Sequence, residues 1–114
     1  METEISRDAD KLLCILYKSF LEKRKTGVSK SEAKHFGSSH NIHEQLLPSW
    51  LFDDVDDTCR ELSRNGFLDC LWGDNIAYQV WLSDRAIVYM ENRFKNGLAE
   101  VVNFVANFLP FIPS

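Results

Sequence analysis

The amino-acid sequence predicts a mostly helical α+β domain, and three observations predict it. Apolar residues recur every three or four positions through most of the chain, the period of an amphipathic helix. Between residues 67 and 82 the period changes to two, around the turn Gly73-Asp74-Asn75, which is the pattern of a strand hairpin. The 114 residues are 45% hydrophobic and 26% charged. That suits one globular domain, long enough to bury roughly two-thirds of its unfolded surface.

Taken in order, Ser6 is placed to cap a first helix running to about Lys25, with Gly27 ending it. Ala9, Leu12, Leu13, Leu16, Phe20 and Leu21 form its buried stripe, and Lys23-Arg24-Lys25 fill the last turn, where cations complement the helix dipole. A second helix begins at Ser29, whose spacing to Glu32 is that of a capping box, and Gly37 closes that segment after Ala33 and Phe36. Residues 42–47 allow a further turn or two before Pro48 interrupts. A third helix is expected from about Ser49 to Asn65, with Gly66 as its stop. Its core face is Leu51, Val55, Cys59 and Leu62, and its outward face is Asp53, Asp56, Asp57, Arg60, Glu61 and Arg64. Asp56 and Arg60 stand at the spacing of an intrahelical ion pair.

Phe67–Trp72 and Ile76–Leu82 are the two strands. Strict alternation in the second puts Ile76, Tyr78, Val80 and Leu82 on one face and Ala77, Gln79 and Trp81 on the other, with Trp72 beside Trp81. Ser83 caps a fourth helix through Ile87, Val88 and Phe94 to Asn96-Gly97, and a last helix runs from Leu98 to Leu109, stopped by Pro110. Gly97 divides the domain at residues 1–96 from an apolar C-terminal element at 97–114.

Charge is unevenly placed. Residues 11–35 carry seven basic side chains against Glu22 and Glu32, whereas residues 44–74 carry eight acids against Arg60 and Arg64. The domain thus has a basic end and an acidic end, each able to steer a partner of opposite sign. The three cysteines, Cys14, Cys59 and Cys70, are widely spaced and odd in number, which suits buried free thiols in a reducing compartment. With no charged-then-apolar leader in the sequence, the expected location is cytoplasmic.

The order helix, helix, helix, strand, strand, helix resembles that of a winged helix: a three-helix core, a two-stranded wing and here an added helix. Two stretches carry the likeness in detail. Phe52-Asp53-Asp54-Val55 through Leu62 to Asn65-Gly66-Phe67-Leu68 looks like the third helix entering the wing. Tyr78-Gln79-Val80-Trp81-Leu82-Ser83-Asp84-Arg85-Ala86 looks like the closing strand and the start of the next helix. Both are similar to the small YjcQ-like winged-helix proteins of Gram-positive bacteria and their phages. Ala86 stands where that pattern has glycine. About a dozen residues separate Gly37 from Ser49, where a compact helix-turn-helix has a turn of about three or four.

What the resemblance implies is a non-enzymatic DNA-binding transcription regulator whose third helix carries Arg60 and Arg64 as contacts, while the charge distribution offers Lys30, Lys34 and His35 at the basic end as further nucleic-acid contacts. The alternative is a protein-binding adaptor or inhibitor that mimics DNA, using Asp53, Asp56 and Asp57 with Trp72 and Trp81 as aromatic anchors for a basic partner. Four aspartates within residues 53–57 would face a polyanion carrying one charge per about 1.7 Å, which contests DNA contact through this helix, although aspartates also favour the first turns of a helix for its dipole. No phosphate loop, nucleophile elbow or His-Glu-x-x-His occurs, so no enzyme and no cofactor are expected. His35, His40 and His43 lack the paired ligand spacing of a zinc site, so no metal is expected either.

The last helix is the most apolar stretch. Leu98, Val101, Val102, Phe104, Val105, Phe108 and Leu109 leave only a narrow polar strip of Glu100, Asn103 and Asn107. It is shorter than the roughly 20 residues of a membrane span and lacks the lysines and arginines of a membrane-surface helix. The expectation is therefore a homodimer through this helix, with packing on the parent domain as the rival.

Overall fold

The computed structural model describes residues 4–108. Within them lie helices α1 (Arg7–Lys25), α2 (Lys30–Ala33), α3 (Ser39–Leu46), α4 (Phe52–Arg64), α5 (Asp84–Arg93) and α6 (Leu98–Ala106), and strands β1 (His35–Gly37), β2 (Leu68–Gly73) and β3 (Ile76–Leu82). The class is α+β, mostly helical, with one antiparallel sheet in the order β1-β3-β2.

The helix α1 is the central element. The Ser6 hydroxyl accepts a hydrogen bond from the Ala9 N–H at 3.1 Å, so the helix starts where the sequence places it. From Leu12 to Tyr17 every residue is buried, wider than the single stripe expected, because α1 meets α4, α5 and α6 on different sides. The caps at Ser29 and Ser83 also form, accepting from Glu32 N–H and Ala86 N–H.

The segment between Gly27 and Ser49 departs from expectation. The second helix is a single turn, and its downstream part is the strand β1, in which His35 pairs with Trp81 and Gly37 with Val80. Gly37 then takes φ +72, a left-handed conformation that turns the chain into α3. Ser38 caps α3 through the Asn41 N–H at 3.1 Å. The dozen residues that look like a long linker are mostly this helix, which leaves only residues 47–51 between α3 and α4. Their path is fixed by His43 and His40. His43 Nε2 lies 2.7 Å from the Trp50 carbonyl, and the His40 ring stacks on Phe52 at 3.9 Å.

The helix α4 starts later than expected, at Phe52, and Leu51 at its N-cap is 73% exposed rather than part of the core. Asp56, expected outward, is buried. In the hairpin, Asp74 and Asn75 both have positive φ, the type I′ turn that matches strand twist. The strict alternation of β3 fails for one reason: Leu71 pairs with Gln79 and Trp72 with Ala77, so Tyr78 is an extra, bulged residue. Past the bulge, Ala77 joins Val80 and Leu82 in the core, and Tyr78 is left 44% exposed.

The apolar face of α6 turns onto its own domain. Val101 and Val105 are buried, with α6 packed on α1. Phe104 lies between Phe94 and Phe108 at ring separations of 5.5 and 5.7 Å. The Arg93 guanidinium covers Phe104 at 4.8 Å while gripping Asp10 with both nitrogens. Among the described residues no helix is long and apolar enough to cross a membrane.

Candidate binding surface

The helix α4 and the hairpin are joined by one buried carboxylate. Asp56 accepts hydrogen bonds from the Ser39 hydroxyl at 2.7 Å and the Ala77 N–H at 3.0 Å, and pairs with Arg60 at 3.3 Å. It therefore ties α3, α4 and the base of β3 together. Arg60 continues the chain of contacts: its guanidinium lies 4.4 Å over the Trp72 ring and donates to the Asn75 carbonyl at the hairpin tip. The effect is to hold the hairpin at a fixed angle to α4.

The outer surface of the first two turns of α4 is acidic. Asp53, Asp54 and Asp57 are exposed. Asp53 and Asp54 lie in the first turn, which has no side-chain cap, so their charges stand against the free N–H groups there. Arg64 is exposed in the last turn. Glu61, beside it, accepts from the Ser6 N–H and hydroxyl, both at 2.6 Å, and these bonds hold its carboxyl below the ordinary glutamate range.

The two tryptophans are not neighbours. Leu68, Cys70 and Trp72 point to the α4 side of the sheet, whereas Asp69 and Leu71 share the other face with Trp81 and Gln79. Trp72 is 40% exposed beside Arg60. Trp81 is half-buried, with the His35 ring packed against it at a tilt, 5.0 Å between centroids, and hydrogen-bonded to Gln79. Sequence reading missed Leu71 and Tyr78, which are 48% and 44% exposed and extend the apolar surface of the hairpin. For Tyr78 the signal was absent, because nothing local announces the bulge.

Of the residues named as nucleic-acid contacts, Lys34 forms an ion pair with Asp84 at 3.1 Å, lowering the Asp84 carboxyl below its ordinary value. His35 is held by Gln79 and Trp81, and Arg60 by Asp56, Asn75 and Trp72. Lys30 and Arg64 remain exposed. Of the residues named for dimerisation, Val101 and Val105 are buried within the chain, Leu98, Phe104 and Phe108 are half-buried and Val102 is 38% exposed. Leu109 lies outside the described residues. The histidines are spent on α3–α4 and β1–β3 packing, and among the described residues no three His, Cys, Asp or Glu side chains converge as metal ligands.

Comparison with protein-family models, with curated proteins and with solved structures found no significant match to this chain.

Proposed function

We propose that the chain is a winged-helix binding domain whose α4 surface and wing engage a basic protein partner in place of duplex DNA. The winged-helix reading is supported by the element order, with β1 as the strand before the helix pair α3–α4 and β2–β3 as the wing. It agrees with the YjcQ-like resemblance of residues 52–96, and on this reading the chain is a DNA-mimicking adaptor or inhibitor.

One observation carries the choice of partner. On the half of α4 that a winged helix would offer to the major groove, the exposed charges are Asp53, Asp54 and Asp57, while Arg60, partly exposed, is already bonded to Asp56 and the Asn75 carbonyl and lies over Trp72. Phosphates would meet three carboxylates there, against one arginine whose charge is shared with Asp56. A protein surface rich in lysine and arginine would be steered to it, and Trp72, on the α4 side of the hairpin, supplies apolar contact area beside the acids. The functional unit proposed is the monomer, since α6 spends Val101 and Val105 within its own domain.

A titration with a lysine- and leucine-rich helical peptide, followed by amide NMR shifts, tests this. The expected shifts cluster at residues 53–57 and 71–78, and Asp53→Lys with Asp57→Lys removes them. Shifts that cluster elsewhere, or that survive both charge reversals, would reject the proposal.

A further inference from the structure

A pocket of about 480 Å³ opens between α1, β1 and α3, away from the α4 surface. Phe36 and Ile42, both buried, form its floor, and Leu46 one side. Lys23 reaches into it from the last turn of α1. The ammonium donates to the His35 carbonyl at 3.2 Å and sits 4.2 Å over the Phe36 ring. Ser19 and Gln45 add a hydroxyl and an amide at the wall.

Three features distinguish this pocket from an ordinary surface fold. None of its lining residues is acidic, although the chain carries a net charge of −4. Among the described residues no carboxylate pairs with Lys23, so its ammonium has a single hydrogen-bond acceptor for three N–H donors. Burial pushes the lysine below its ordinary value, so an incoming anion would supply a counter-charge that no carboxylate among the described residues supplies. The volume also falls within the roughly 300–1,000 Å³ typical of small-molecule sites.

We propose that this pocket binds a small organic anion, with its acid group on Lys23 and its apolar body against Phe36, Ile42 and Leu46. The site is independent of the partner surface on α4, and either can exist without the other.

The probe is 8-anilinonaphthalene-1-sulfonate, an aromatic monoanion whose fluorescence rises on leaving water, titrated into the folded chain and checked by amide NMR shifts. The neutral analogue N-phenyl-1-naphthylamine serves as control. Saturable one-to-one binding is expected, with shifts at Phe36, Gly37 and Ile42. Lys23→Gln should weaken it about tenfold or more, the loss of one charge-assisted contact, and Lys23→Arg should retain it. Gln45→Trp, a bulky change at an exposed position on the pocket rim, should block it without disturbing the core. Circular dichroism establishes that each variant is folded. Absence of saturable binding overturns the proposal. So does equal affinity for the neutral analogue, or undiminished binding by folded Lys23→Gln or Gln45→Trp.

Discussion

Replacing Asp56 with alanine should be among the most damaging single changes on α4, although the residue sits in a run of aspartates that reads as surface. Its carboxylate is the acceptor for the Ser39 hydroxyl, the Ala77 N–H and the Arg60 guanidinium, and both Ser39 and Ala77 are fully buried. Asp56→Ala leaves two buried donors without an acceptor, at about 1–3 kcal/mol each, and frees a cation. The sum should be about 3–5 kcal/mol, the range for breaking a buried pair from one side. At about 4 °C per kcal/mol for a chain of this length, the midpoint should fall by about 12–20 °C. Asp56→Asn keeps one acceptor oxygen for Ser39 and Ala77 but turns an amide toward Arg60, so it should lose only about 1–2 kcal/mol. Thermal and urea unfolding by far-UV circular dichroism measure both. Hydrogen exchange at the Ala77 amide should accelerate in Asp56→Ala before global unfolding does. A loss below about 1 kcal/mol for the alanine variant, with Ala77 protection unchanged, would refute the reasoning.

Three further outcomes are expected. Arg93→Met removes a two-pronged pair with Asp10 and the cover over Phe94 and Phe104; about 1–2 kcal/mol should be lost in urea titrations, discounted for partial exposure. Glu61 has a depressed pKa in the folded chain, held down first by its bonds to Ser6. Its contribution is therefore present above the unfolded value, about 4.3, and is lost as pH falls through the folded one, so Glu61→Gln should flatten the decline of the unfolding midpoint measured below about pH 4.3. Burial raises the Cys14 thiol to about 12 and Cys70 to about 11, and pushes Cys59 up further. In the native chain at about pH 8, a thiol-reactive disulfide reagent should leave Cys14 and Cys59 untouched and modify Cys70 slowly, whereas all three should react in guanidinium.

Helical periodicity and caps were legible from sequence because they are local. Ser6, Ser29 and Ser83 announce helix starts through bonds three residues away, and the α1 stripe needs no partner to be recognised. What was not legible depends on pairing. The strand β1 is three residues long and exists because His35 and Gly37 find β3, so the segment between two helices reads as linker until the sheet is in place. The inward turn of Asp56 likewise follows from Ser39 and Ala77, which lie 17 and 21 residues away. Patterning by period counted it as one more exposed acid. Alternation carried through Tyr78 would set the two tryptophans on one face, and the bulge there breaks it. As for the site, the acidity of Asp53 and Asp57 was plain from sequence. That Arg60 is drawn onto Asp56, Asn75 and Trp72 was not, and that difference shifts the reading from nucleic acid to protein.

The most direct test of the α4 assignment is fluorescence anisotropy of labelled duplex DNA fragments titrated with the full chain at about 50 and 150 mM salt, a range over which phosphate contacts weaken steeply. The account predicts no saturable binding at either concentration. Saturable binding at the lower salt that collapses at the higher, and that is lost on Lys30→Ala or Arg64→Ala, would contradict it.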